Sequence, residues 1–351
     1  MRQAILSFHR RLSVVLGFFW ILQAITGVCI VFHWEIRDAQ ASTSTSAPTN
    51  FAAIGEAVTS IAAQSGSTVS SVWTTAGLPD RYKVNLANGN SVRIGGDGTV
   101  LASKPAGERD LFDVLLDLHH TLLAGESGKW IVGASGILLT TNLLLGLRLA
   151  WPKEGLARAL WPKKVPSKGR ARLFTYHRTI GLWAVIPAIV LIVSGTLLRF
   201  EDQLSPLVSD SVDDPSAITS AGPVMVDFET ATRSAIAAVP GSRFAAVSMP
   251  GAENATYRFR LLEPGELRKA YGTSVVWVDA RDGSIRAVAP ASGQTFGRKF
   301  LNALFALHTG EAGGILGRIL TMAIGLWLVV MIILGVLLWS RRRRPAPEAA
   351  K

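Results

Sequence analysis

Six histidines stand at or near the ends of long apolar runs in this 351-residue chain, and their placement is the first hint of chemistry. His9 and His177 each open such a run, both followed by arginine. His119 and His308 precede two further runs. His120 follows His119 directly, and His33 lies just past the first run. Imidazole titrates near neutrality and, when neutral, is the commonest protein metal ligand. Other chemistries lack their residues. The single cysteine, Cys29, lies inside the first apolar run, so one chain offers neither a disulfide nor a thiolate cluster. No Ser/His/Asp or H-E-x-x-H arrangement is present.

The elements that must position these histidines come in duplicate. Phe8–Phe32 and Tyr176–Phe200 match at an offset of 168: His9 with His177, Gly27 with Gly195, Phe32 with Phe200. Each glycine falls eighteen residues after its histidine, five turns of helix, which puts the two on one face. A second correspondence holds at an offset of 189: His119 with His308, Gly128-Lys129 with Gly317-Arg318, Gly136 with Gly325, Gly146 with Gly335. The chain is therefore a duplication, each half being span, outer segment, span, with a pseudo-twofold axis expected along the membrane normal.

Four stretches, about 12–33, 130–150, 179–200 and 317–339, reach membrane-crossing length in a chain that is 49% hydrophobic. The formal charge of +11 would suit nucleic acid, but its placement argues for a membrane. The excess sits in three segments that four spans put on one side: Arg2, Arg10 and Arg11; Lys153, Arg158, Lys163, Lys164, Lys168, Arg170 and Arg172; Arg341–Arg344 and Lys351. The positive-inside rule makes that side cytoplasmic, with both termini there. The long connections, with acids such as Asp210, Asp213 and Asp214, then face the periplasm of a bacterium. Nucleic acid is not an expected partner; the lipid bilayer is.

Each outer segment reads as a helix followed by short strands. In the first, Ala41–Asn50 reads as a tether and Phe51–Gln64 as a helix, followed by alternating runs at Val69–Thr74, Arg81–Leu86, Ser91–Ile94 and Thr99–Ala102, with an Asn88-Gly89 turn. In the second, Phe228–Ala238 is helical, and Phe244–Met249, Tyr257–Leu262, Ser274–Val278 and Ser284–Val288 are strand-like. Amphipathic segments at Asp110–Leu123 and Lys299–Leu307 lead into the second and fourth spans. The boundaries expected are 1–34, 35–110, 111–151, 152–175, 176–200, 201–298, 299–340 and 341–351.

Two neutral imidazoles facing each other across a bundle suit the axial positions of a haem iron. The duplication pairs His9 with His177 at one face and His119 with His308 at the other. Ser13 and Gly181 follow the first pair at the next turn, and Gly27 and Gly195 continue those faces toward the other end, leaving room for flat macrocycles. Alternatives stay open: a zinc or copper site, though no carboxylate or thiolate accompanies either pair at ligand spacing; a proton relay; or interfacial residues copied by duplication. His33 has no counterpart and reads as interfacial. His120 matches Thr309 and is a weaker ligand than His119, although a one-residue shift would exchange them. Gly310–Gly317 eases the turn into the fourth span rather than cradling a nucleotide, and Lys129 and Arg318 are expected to snorkel to headgroups.

The phrases FHRRLSVVLGFFW, LHHTLLAGESGKWIVGASGILL, YHRTIGLW and LHTGEAGGILGRILTMAIGLWL resemble the PepSY-associated transmembrane helix family of bacterial inner-membrane proteins. The outer stretches RYKVNLANGNSVRIGGDGTVLAS and VVWVDARDGSIRAV resemble PepSY hairpins. The resemblance implies a membrane α-helical protein, four spans as a duplicated two-helix unit, with two small α+β PepSY-like periplasmic domains. It further implies two b-type haems on His9, His177, His119 and His308, and release of iron from a ferric siderophore or other ferric chelate. The loop at 152–172 is too short for a flavin or nicotinamide domain, so a quinol or a separate reductase would be the donor. PepSY domains are also linked to modulating peptidases, which leaves a rival expectation: a non-enzymatic scaffold that binds a periplasmic protein.

Overall fold

The computed structural model describes residues 1–42, 47–152, 155–161, 165–166, 168–208, 222–251, 254–268 and 270–341. Lys153, Lys163, Lys164, Arg342–Arg344, Lys351, Asp210, Asp213 and Asp214, used above to orient the chain, lie outside the described residues.

In chain order, α1 (Arg2–Ile30) and α2 (His33–Ala41) precede α3 (Phe51–Ser65) and the strands β1 (Val69–Thr74), β2 (Arg81–Leu86), β3 (Ser91–Gly95) and β4 (Val100–Lys104). Next come α4 (Leu111–Thr121), α5 (Gly125–Ala150), α6 (Leu156–Leu160), α7 (Gly169–Arg199) and α8 (Glu201–Val208). The second half continues with α9 (Phe228–Ala238), β5 (Arg243–Ser248), β6 (Thr256–Leu262), β7 (Ser274–Asp279), β8 (Ile285–Ala289), α10 (Phe296–Thr309) and α11 (Gly314–Ser340). These elements form two units. One comprises 1–31, 113–200 and 307–351; the other comprises 32–112 and 201–306.

The first unit is a helical bundle. Four of its helical stretches, Arg2–Ile30, Gly125–Ala150, Gly169–Arg199 and Glu311–Ser340, are long and apolar enough to cross a membrane. Helices make that crossing because every backbone N–H and C=O is paired within the segment. Pro187 inside α7 is tolerated for the same reason it is in other spans, since packed neighbours support the interrupted ladder. The packed neighbours are α1/α5, α5/α7, α7/α11 and α11/α1. The repeat-mates α1 and α7 are thus diagonal, as are α5 and α11, which is the arrangement a pseudo-twofold requires. At mid-bundle Trp20, Leu139, Leu328 and Ile332 form a buried cluster, and the Trp20 indole N–H donates to Ser135 Oγ at 2.9 Å.

The second unit corrects the expectation of two separate small domains. All eight strands belong to one antiparallel sheet in the order β4-β3-β2-β1-β5-β6-β7-β8. The halves join through β1 and β5, with Ser71, Val72 and Trp73 opposite Ser248, Val247 and Ala246. The reason is physical: a four-stranded half-sheet would leave β1 or β5 as an open edge of unpaired backbone groups, and each supplies the other's partner. One core follows, with Ile54 and Val58 of α3, Phe228 and Ala231 of α9, and Val72, Val84, Val247, Phe259 and Val276 of the sheet in a single cluster. Local signals start and stop these elements. Asn50 caps α3 by accepting from Ala52 N and Ala53 N, and Gly66 ends the helix at φ 61°. The expected tether is not wholly loose: Thr49 Oγ1 donates to Asp80 Oδ1 at 2.5 Å, and Asn50 N donates to Gly96 O at 2.8 Å. Buried carboxylates knit the sheet edges, Asp38 pairing with Arg93 and Asp279 with Arg281 and Arg286.

Candidate functional site

Both histidine pairs selected by the duplication meet inside the helical bundle. The His9 and His177 ring centres are 6.5 Å apart, and those of His119 and His308 are 6.2 Å apart. The levels are eighteen residues apart along α1, which is about 27 Å of helix.

Each ring is seated in the same way. His9 Nδ1 lies 3.1 Å from Asn142 O, His119 Nδ1 3.1 Å from Gln23 O, and His308 Nδ1 2.9 Å from Leu191 O. In every case the residue four positions further along that helix is the glycine the ring covers. A Cβ on Gly146 would lie 3.2 Å from His9 Cε1, one on Gly27 3.0 Å from His119 Cε1, and one on Gly195 would overlap His308. His177 lies over Gly335 in the same manner, at 3.5 Å. Its expected acceptor, Met331 O, is adjacent, but no bond of proper geometry forms, and Nδ1 is a buried atom without a partner.

The pattern has a simple cause. In a helix, carbonyl i points at residue i+4, and its second lone pair stays available. Only glycine at i+4 lets an imidazole approach that lone pair from the side. A carbonyl can only accept, so Nδ1 carries the hydrogen and Nε2 keeps its lone pair. This is the tautomer a metal-bound histidine adopts when its other nitrogen is held by a carbonyl. Burial, then the nearby His308 and His120, hold the His119 pKa down to about 3. Burial also lowers that of His308. Burial therefore favours the neutral ring at both positions.

Two imidazoles held this close could serve as the two protein ligands of one metal. Among the described residues no group of three or more His, Cys, Asp or Glu gathers to hold an ion. Two donors leave a tetrahedral zinc half satisfied, whereas a macrocycle-bound iron brings four of its own and needs two more. The His9–His177 level also opens into a cavity of 180 Å³, lined by Trp20, Leu139, Trp327 and Met331 and bordered by Arg10, Arg170 and Arg178.

The other sequence candidates are placed as follows. His120 is exposed, with its ring 5.7 Å from that of His119; His119 is the one opposite His308. His33 is buried in the second unit against Trp34 and Phe112, at 4.8 and 6.2 Å. Gly27 and Gly195 seat the rings of His119 and His308, a more specific role than room for a macrocycle. Ser13 has one too: its hydroxyl donates to His9 O and accepts from Asn142 Nδ2. Arg318 does not snorkel. It is buried and donates to Val31 O. Gly310, at φ 81°, brings its carbonyl against Gly317 as α11 begins, a turn that closely packed glycines permit. What the sequence reading missed is the pairing of Asn142, Gln23, Leu191 and Met331 with the glycines four residues on. The glycines were visible; their partner rings come from other helices.

A bundle of four membrane-length helices, with two histidine pairs at its ends, defines a membrane protein of duplicated design. The chain matches the family described as the PepSY-associated TM region over residues 6–342, and it belongs to that family. No curated protein matches the chain.

Proposed function

We propose that this protein is a di-haem oxidoreductase of the bacterial inner membrane that passes electrons across the bilayer to a periplasmic ferric chelate, such as a ferric siderophore. The observation that carries the reading is the geometry of the two imidazole pairs: matched ring separations, each ring seated over a glycine, and Nδ1 of His9, His119 and His308 turned to helix carbonyls, which leaves their Nε2 for a metal. Haem iron supplies one-electron chemistry by alternating between ferric and ferrous states. The chain does the rest. His9 and His177 would hold one haem, and His119 and His308 the other. Arg10, Arg170 and Arg178 border the first site, where macrocycle carboxylates would need cations. The apolar cluster around Trp20 lies between the two levels. Both termini would lie in the cytoplasm, with a quinol or a separate reductase as donor.

The test is an absorbance spectrum of the purified full chain, oxidised and then dithionite-reduced, after expression with ample haem. A Soret band with split reduced bands, lost in part by His9→Ala and in part by His308→Ala, is expected. Absence of any Soret band removes the proposal.

A further inference from the structure

The second unit contains a cluster of cations that the paired-histidine chemistry does not use. Along β6, Tyr257, Phe259 and Leu261 point into the core, so alternation sends Arg258 and Arg260 to the opposite face of the sheet. There, register places Arg260 beside Ala246 and Val275, and Arg258 beside Ser248 and Trp277. Arg268, from the β6–β7 connection, joins them.

Elsewhere in this unit arginines meet acids: Arg93 with Asp38, Arg37 with Asp110, Arg281 and Arg286 with Asp279, Arg233 with Glu229. Arg258, Arg260 and Arg268 are not in an ion pair with any described residue. Arg258 and Arg268 meet aromatic rings instead, and both act on Arg260 through their charge. Arg258 lies 5.8 Å from the Trp277 ring centre, and Arg268 lies 4.5 Å from that of Phe305 and 5.5 Å from that of Tyr271. Tyr271 in turn abuts Trp73 at 5.3 Å. The Arg268 Nε is buried with no acceptor. Burial, then the repulsion of Arg258 and Arg268, lowers the pKa of Arg260, with Glu201 as the one opposing charge.

Half-buried like charges cost free energy unless an anion joins them. Guanidinium groups stacked on rings keep their N–H edges for planar oxyanions, and neighbouring aromatic faces favour a ligand with rings of its own. We infer that Arg258, Arg260 and Arg268, with Trp73, Trp277 and Tyr271, form a binding site for an anionic, aryl-bearing metal chelate of the tris-catecholate class. The metal in that ligand rests on the reductase reading; the anion site does not.

The test uses the detergent-solubilised full chain and redox-inert gallium(III) complexes, by equilibrium dialysis. The trianionic tris(catecholate) complex is expected to be retained, and the neutral tris(acetohydroxamate) complex not. Arg260→Gln and Arg258→Gln should each weaken retention roughly tenfold, the scale of a lost charge-assisted contact. Arg260→Lys should recover part of it, and Arg233→Gln, on α9, none of the loss. Wild-type melting temperatures in the variants exclude unfolding. Equal retention of both complexes, indifference to Arg258→Gln and Arg260→Gln, or displacement of the catecholate by phosphatidylglycerol in nanodiscs would overturn the inference. Because gallium is not reduced, the same measurement on the His9→Ala protein separates failure of this site from failure of the haem proposal.

Discussion

On the di-haem proposal, Gly195→Ala should cost the protein one haem and leave the other in place. A methyl at Gly195 overlaps the His308 ring, one at Gly27 would lie 3.0 Å from His119, one at Gly146 3.2 Å from His9, and one at Gly335 3.5 Å from His177. Carbon atoms rest at about 3.5–4.0 Å, so the ring must retreat by about 0.5 Å at Gly27, about 0.3 Å at Gly146, hardly at all at Gly335, and farthest at Gly195. Overpacking of this kind costs about 1–3 kcal/mol, while replacing a mid-helix glycine returns about 1 kcal/mol. Net effects therefore run from a loss of about 2 kcal/mol at Gly195 to a gain of up to about 1 kcal/mol at Gly335. A metal–nitrogen bond tolerates only about 0.2 Å of error, so on the same proposal displacement of the His308 ring would be loss of a ligand. Haem content per chain, together with a potentiometric titration, reads the outcome. The expected order of damage is Gly195, Gly27, Gly146, Gly335. Gly335→Ala losing as much haem as Gly195→Ala, or Gly195→Ala retaining two, would refute the seating of rings on glycines.

Three further outcomes follow from the same geometry. His120→Ala should leave the spectrum and the haem content unchanged, whereas His119→Ala should remove the same component as His308→Ala, read by difference spectra. Phe259→Ala, at a fully buried ring in the shared core, should cost about 3–5 kcal/mol; because the sheet is continuous, hydrogen exchange should rise in β1–β4 as well as in β5–β8. The Asp279 carboxylate, whose side chain is buried, is held well below the usual carboxylate range first by hydrogen bonds from Arg281 and then by Arg286. A depressed folded value means its stabilisation is present above the unfolded pKa near ~3.9 and is lost as pH falls below it. Melting temperature should therefore drop more steeply between about pH 4 and pH 2 in the wild type than in Asp279→Asn.

The elements were legible because their signals are local. Phe228–Ala238 and Val69–Thr74 occupy the expected residues, since apolar period and turn chemistry at Asn88-Gly89 and Asp282-Gly283 do not depend on distant partners. The histidine pairs were legible for a different reason. A duplication turns a one-dimensional repeat into a two-fold axis, and equivalent residues near an axis meet. Two things stayed hidden. The union of β1 with β5 depends on residues 173 to 177 positions apart pairing backbone to backbone, and backbone pairing leaves no mark on side-chain pattern. The carbonyl acceptors stayed hidden likewise: Leu191 and Met331 serve through main-chain oxygen, so their side chains carry no signature.

The seating of the rings also weighs between the chemistries that histidine pairs permit. A proton relay needs each imidazole to take a proton on one nitrogen and release it from the other. At His9, His119 and His308 the Nδ1 hydrogen goes to a helix carbonyl, which accepts hydrogen bonds but takes no proton onward, so a relay would stop there. A lone divalent ion would need further donors that the described residues do not gather. An idle interfacial histidine would have no reason to require a glycine in the facing helix four residues beyond its acceptor; here a glycine lies under the ring at all four positions, tightly at Gly195, Gly27 and Gly146, in two halves that have otherwise diverged, with Ser13 and Asn142 on one side against Gly181 and Met331 on the other. Polar neighbours changed between the halves while the glycine seats and the rings did not. That is the pattern expected if what matters at each site is where two ring nitrogens are held.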